Sequence, residues 1–217
     1  MKILLIAGHG DGDSGAVGNG YKECSLTRNF CTELLFKNDD FSEDLEIDLY
    51  PTEKDCYKES KRGNIPKFSD YDYTIEVHFN SFSDNTAHGS EVLIHPDQKI
   101  TFERQFLNEL EKLGFRNRGL KLRNDLLNLN NARRQQANYC LLEICFISSK
   151  ADMERYINTK KIIIQKLLES IIDFFELSDS RFYRVQVGAF KNKQNAINYK
   201  KELSEKFGID CFVVEVR

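Results

Sequence analysis

The sequence predicts an α/β domain with a mostly parallel, twisted sheet flanked by helices, because short apolar runs alternate with helical repeats over about the first 175 residues. The predicted strands are Lys2–Ala7, Leu45–Tyr50, Tyr73–Phe79, Ser90–His95, Leu120–Arg123 and Tyr139–Phe146. The predicted helices are Ser25–Phe36, Asp55–Asn64, Thr101–Leu113 and Ala151–Phe175. Gly8–Gly20 holds six glycines in thirteen residues and is predicted to be a loop.

Composition narrows the class of protein. The 217 residues are 41% hydrophobic and 30% charged, as in ordinary globular proteins, and the net charge of −3 argues against a nucleic-acid-binding protein. No apolar stretch reaches the length of a membrane span. The apolar run after Met1 is too short for a secretory signal, which predicts a cytoplasmic protein without a signal peptide. The six cysteines show no CxxC spacing and are predicted to be free thiols.

Four ionisable residues lie where strands end or helices begin. His9 follows the first strand, and His78 and Glu143 lie near the ends of two later ones. Glu23 begins a helix after the glycine-rich loop. Ligand sites in open α/β sheets form at the carboxyl ends of strands, so these four side chains can converge.

Two imidazoles and one carboxylate are a common ligand set for zinc, which leaves a fourth position for water. His9, Glu23 and His78 are therefore predicted zinc ligands, and Glu143 is the predicted catalytic carboxylate. Taken singly, each residue has an ordinary structural explanation; Glu23, for example, suits a helix start. Glu76 shares the strand face of His78 and is either a partner of that histidine or a rival ligand.

The motifs follow one family in order. They are AGHGDGDSGAVGNGYKE, Arg62 followed by Asn64, EVHFNS, GSEVLIH and CLLEICFISS. Over about residues 1–175 the chain resembles the zinc-dependent N-acetylmuramoyl-L-alanine amidases of the "amidase 3" type. Ser149 and Cys145 replace the asparagine and glycine usual in the last motif.

The resemblance implies an activity and residue roles. The reaction is hydrolysis of the amide between N-acetylmuramic acid and L-alanine in bacterial cell-wall peptidoglycan. His9, Glu23 and His78 take the zinc-ligand positions, Glu143 the catalytic position, and Arg62 and Asn80 are predicted to contact substrate. A zinc carboxypeptidase or endopeptidase acting on stem peptides is the alternative enzyme.

The sequence predicts three segments: a catalytic domain at 1–176, a polar linker at 177–181 and a small βαβ module at 182–217. The tail, with Val-Gln-Val-Gly-Ala-Phe, a helix and a closing strand, resembles half of a SPOR peptidoglycan-binding repeat. So short a unit leaves sheet edges and one apolar face uncovered. We therefore expect a homodimer joined through residues 182–217; the alternative is that the tail packs on its own catalytic domain.

A wall substrate and a cytoplasmic location together suggest a phage or prophage endolysin that acts on the cell wall after release. A mother-cell or germination lytic amidase of a spore-former is the alternative setting.

Overall fold

The computed structural model describes residues 1–83, 86–99, 101–178, 187–208 and 213–214. The chain divides into two compact units, Met1–Arg181 and Phe182–Arg217. Strands of the first unit are β1 (Lys2–Ala7), β2 (Val17–Gly18), β3 (Tyr21–Lys22), β4 (Glu46–Leu49), β5 (Tyr73–Asn80), β6 (Ser90–Ile94), β7 (Asn117–Leu122) and β8 (Tyr139–Phe146). Its helices are α1 (Glu23–Asn38), α2 (Cys56–Lys61), α3 (Glu103–Lys112), α4 (Leu127–Arg134) and α5 (Lys150–Phe174).

Six strands form the main sheet in the order β4-β1-β5-β8-β6-β7. The first four are parallel to one another, whereas β6 is antiparallel to β8 and parallel to β7. The reversal has a simple cause. Only residues 81–89 connect β5 to β6, and a parallel crossover needs about a dozen residues or more.

Alternating side chains of the strands supply two cores. In β1, Ile3 and Leu5 point into the larger core, which α1, α3 and α5 cover, whereas Leu4 and Ile6 point into the smaller core beneath α2 and α4. In β5, Tyr73, Ile75, Val77 and Phe79 fill the larger core. The opposite face of β5 therefore presents Thr74, Glu76, His78 and Asn80, which are the polar residues of that strand.

The predicted fold class is confirmed: the mostly parallel sheet is flanked by helices on both faces. All six strands and four helices predicted in this unit are present, with ends shifted by a few residues. Two features were not predicted. The glycine-rich segment ends in the short β2–β3 hairpin. Helix α4 was missed because LNLNNARR is only eight residues long and contains three asparagines, which are weak helix formers.

The second unit contains α6 (Lys193–Phe207), as predicted, capped by the Asn192 side chain at its start and by left-handed Gly208 at its end. Val187–Phe190 has no regular secondary structure, and the remainder of the two predicted tail strands lies largely outside the described residues. No helix in the described part of the chain is long and apolar enough to cross a membrane.

Glu103, at the start of α3, makes the stability of the first unit depend on pH. Its carboxyl group is buried and accepts a hydrogen bond from the Tyr73 hydroxyl. Burial raises the pKa of Glu103 from 4.5 to about 7. The folded state therefore favours the protonated form, whose stabilising effect is complete below the unfolded pKa and is lost as pH rises through about 7.

We predict that Glu103→Gln flattens this dependence. Between pH 4.5 and pH 8, the unfolding free energy of the parent should fall by roughly 3 kcal/mol relative to that of the variant. Urea unfolding at several pH values measures it. Parallel curves for the two proteins would contradict the assignment.

Candidate metal centre

A row of residues crosses the sheet at the carboxyl ends of β1, β5 and β8. Gly8 follows β1, and its neighbour on β5 is His78, which pairs in register with Glu143 on β8. Glu143 in turn pairs with Glu91 at the start of the reversed strand β6. Parallel strand ends therefore bring together residues that are far apart in sequence, as the sequence predicted.

Glu23 joins the two histidines from the first turn of α1. Its Oε2 lies 3.0 Å from His9 Nε2, and its Oε1 lies 3.0 Å from His78 Nδ1. The backbone N–H groups of Ala16 and Phe79 each donate to one of the same oxygens, at 2.9 Å. One ligand atom from each of His9, Glu23 and His78 can be chosen so that all lie within 4.8 Å of one another.

A second carboxylate holds each imidazole from its other side. Asp13 Oδ2 lies 3.0 Å from His9 Nδ1, and Glu76 Oε1 lies 3.2 Å from His78 Nε2. Glu76 is buried and also accepts a hydrogen bond from the Tyr139 hydroxyl. Such carboxylates fix the tautomer and orientation of metal-binding histidines, so Glu76 is a partner of His78 in this arrangement.

Two glycines leave the space that the candidate ligands occupy. A Cβ on Gly8 would lie 2.4 Å from the ring of His78. A Cβ on Gly15, which has a φ of +61°, would lie 2.5 Å from the ring of His9 and 2.7 Å from Glu23 Oε2. The glycine-rich character of this segment is therefore required by close packing against the ligands.

Glu23 and the two histidines stabilise each other's charged forms. Burial is the largest single effect and lowers the pKa of His9 and His78, but the surrounding carboxylates together outweigh it and raise both pKa values above the ordinary value: Glu23 with Asp13 at His9, and Glu23 with Glu76 at His78. In Glu23, burial raises the pKa, but hydrogen bonds from His78 and His9 and the charges of both rings together lower it below the ordinary value. The site is thus built for a negative carboxylate beside positive charge.

Glu143 differs from the ligand carboxylate. Its Oε2 is buried and has no hydrogen-bond partner among the described residues. Burial, together with the nearby negative charge of Glu23 and Glu91, raises its pKa to about 7, although His78 acts in the other direction. A carboxyl group with a pKa near neutrality can both accept and donate a proton.

The two predicted substrate residues have different surroundings. Asn80 lies on the face of His78, and its Nδ2 donates to Glu91 Oε1 at 2.9 Å. Arg118 Nε donates to the other oxygen of Glu91 at 2.7 Å. Arg62 follows α2, where it is exposed and binds Glu59 at 2.6 Å and Asp11 at 3.4 Å.

The residues fit a zinc ion. A carboxylate and two imidazoles, each imidazole with a carboxylate on its far nitrogen, match the ligand and support pattern of zinc sites. One ligand atom from each of the three residues lies within 4.8 Å of the other two, which is compact enough for a single ion. With Glu143 beside them, the fold and this site define a candidate metal-dependent hydrolase.

Comparison with known proteins gives the family. A sequence model described as N-acetylmuramoyl-L-alanine amidase matches residues 3–173. The chain therefore belongs to the N-acetylmuramoyl-L-alanine amidase family, and the predicted enzyme class, a peptidoglycan amidase, is confirmed. A SPOR domain model matches residues 148–215, which confirms the second resemblance. The SPOR match also includes α5 of the first unit.

Individual relatives agree with this family. The chain is 28% identical over 225 residues to the sporulation-specific N-acetylmuramoyl-L-alanine amidase of Bacillus subtilis, covering 99% of this chain and 84% of that protein. It is 29% identical over 185 residues to the probable autolysin PH of Staphylococcus aureus; this match covers 79% of the chain but 38% of that longer protein. The catalytic domain of the amidase CwlV from Bacillus (Paenibacillus) polymyxa var. colistinus has the same fold, with a TM-score of 0.68 and 17% identity over 82% of this chain and 99% of that one.

The sequence did not identify Asp13 or Glu91 as supporting residues, and it left the role of Glu76 open. Asp13 lies in the glycine-rich loop, where an acidic residue is ordinary, and only the observed turn shows that it contacts His9. Glu91 lies in the GSEVLIH motif, and its place beside Glu143 depends on the reversed direction of β6. Glu76 was identified by its strand face, but its role needed the measured contact with His78.

We predict that Glu76→Gln weakens zinc binding about 10- to 100-fold, because the imidazole of His78 loses its carboxylate partner. Competition with a chromogenic chelator measures the zinc dissociation constant. Glu103→Gln is the matched control, because Glu103 is another buried glutamate bonded to a tyrosine hydroxyl, and it contacts none of the ligands. Equal zinc affinity in the two variants would refute the role of Glu76.

Proposed function

We propose that the chain is a zinc-dependent peptidoglycan amidase with His9, Glu23 and His78 as metal ligands and Glu143 as the catalytic carboxylate. The observation that carries this proposal is the register of His78 with Glu143, which puts an unpartnered, buried carboxyl oxygen next to the ligand set. Zinc bound to these ligands would polarise the scissile carbonyl and activate a water molecule.

The residues of the chain supply the proton transfers. Glu143 takes a proton from the attacking water and delivers it to the nitrogen of L-alanine as the amide bond to the muramic lactyl group breaks. Its pKa of about 7 suits both steps. Asn80 and Arg62 are proposed substrate contacts: Asn80 shares the sheet face of the ligands, and Arg62 contacts Asp11 in the turn after His9.

The test is digestion of purified peptidoglycan, with mass analysis of the fragments, with and without a chelator. We expect a free lactyl carboxylate and a new L-alanine amine. Glu143→Gln should keep its zinc affinity and lose activity by about 10²- to 10⁴-fold. Full activity of that variant would refute the mechanism, and cleavage between peptide residues would instead support a carboxypeptidase or endopeptidase.

The tail is proposed to bind the cell wall as part of a homodimer. Within the described part of the tail, Leu203 is buried, whereas Val187, Phe190, Ile197, Phe207, Val213 and Val214 are each at least 40% exposed. A unit of this size cannot bury enough apolar surface alone. The same unit from a second chain presents a matching apolar surface and would supply the missing half of a SPOR repeat.

Light scattering of the full chain tests the dimer. We expect twice the 25.3 kDa mass of one chain at micromolar concentration. Ile197→Glu, which places a charge on the exposed face of α6, should give single chains. Ile157→Glu, at a similarly exposed position on α5, is the control and should leave the dimer intact. A single-chain mass for the parent protein would contradict the proposal.

Two biological settings are proposed for the enzyme. One is a phage or prophage endolysin. The other is a lytic amidase of a spore-former, and the match to a sporulation-specific amidase over 99% of this chain favours it. The time of expression in the host, during sporulation or during phage lysis, distinguishes the two.

A further inference from the structure

The turn that carries His9 has an uncommon backbone. Four successive residues, His9 to Gly12, have positive φ angles of 63°, 113°, 49° and 83°. Left-handed conformations cost non-glycine residues free energy, and both His9 and Asp11 adopt one. Contacts from elsewhere in the fold must therefore hold this turn.

Arg28, on α1, contacts the start of this turn and two other segments of the chain. Its Nη2 donates to the His9 carbonyl at 2.7 Å, and its Nη1 donates to the Gly8 carbonyl at 3.1 Å. The remaining acceptors are the carbonyls of Cys24 (3.1 Å), Thr52 (2.7 Å) and Lys54 (3.1 Å). One guanidinium thus joins the His9 turn, the first turn of α1 beside Glu23, and the segment before α2.

The donors of Arg28 are fully used. A guanidinium has five N–H groups, and the five contacts take one each: one from Nε, two from Nη1 and two from Nη2. All five acceptors are backbone carbonyls. No N–H group remains for substrate, so Arg28 can act on the reaction only through the segments that it holds.

Lys58, on α2, contacts the other two carbonyls of the turn. Its Nζ donates to the Asp11 carbonyl at 2.6 Å and to the Gly10 carbonyl at 3.4 Å. Every carbonyl from Gly8 to Asp11 therefore faces a cationic side chain. Gly10 makes this possible, because a Cβ there would lie 1.9 Å from Arg28 Nη2.

We propose that Arg28 is a positioning residue that holds the left-handed His9 turn in its metal-binding conformation. Lys58 supports the same turn through the carbonyls of Gly10 and Asp11. The inference rests on the proposed role of His9 and Glu23 as zinc ligands. Lysine cannot replace Arg28, because one ammonium has three donors and cannot span five carbonyls on three segments.

The experiment measures zinc affinity of the full chain by competition with a chromogenic chelator. Arg28→Lys should weaken zinc binding about 10- to 100-fold, as loss of supporting contacts does in other zinc sites. Saturating zinc should restore most of the amidase activity, because no catalytic group has changed. Arg133→Lys is the control: Arg133 binds Asp97 on the surface, and its variant should keep the parent's affinity.

Lys58→Met provides the second variant and should weaken zinc binding in the same direction by a smaller factor. A folded Arg28→Lys protein with the parent's zinc affinity would overturn the inference. If Arg28→Lys does not fold, Lys58→Met decides, and an unchanged affinity there overturns it. A parent protein that binds no zinc would instead refute the proposed function, so the two failures are distinguishable.

Discussion

The carboxylate of Glu23 is the interaction on which the catalytic end of the fold depends. Each of its oxygens is shared between one imidazole and one backbone N–H, so a single buried charge ties the glycine-rich segment, α1 and β5 together. A buried carboxylate is tolerated only when such donors surround it. The positions of Gly8 and Gly15 follow from the same requirement, because the rings bonded to Glu23 occupy the space beside them.

The sequence predicted the inner strands β1, β5, β6 and β8 well because they are mostly buried on both faces, and apolar runs such as Tyr139–Phe146 stand out. It predicted that His9, His78 and Glu143 converge because parallel strands end at one edge, and the structure brings them together with Glu23 of α1. It could not predict Asp13 or Arg28, since their contacts depend on an irregular turn with no repeating pattern. Helix α4 was missed for a related reason: packing of Leu129 and Ala132 stabilises it more than local propensity does.

Helix α5 explains why two family models overlap on this chain. The amidase match ends at residue 173 and the SPOR match begins at residue 148, so both include most of this helix. Its buried residues, among them Ile163, Leu167 and Ile171, belong to the large core of the catalytic unit. Helix α5 thus packs in the first unit, whereas α6 is the helix found in the described part of the tail.

The reversed strand β6 has a consequence for how this enzyme can diversify. Because β6 runs against β5, the connection 81–89 leaves the edge with the candidate metal centre after Asn80 and returns to that edge at Ser90, next to Glu91. Both ends are fixed by the sheet, while the exposed Phe82 lies between them. Surface connections accept insertions far more readily than strands do. Evolution or design can therefore lengthen this segment to change which wall polymers are reached, while the residues that perform the chemistry stay in place.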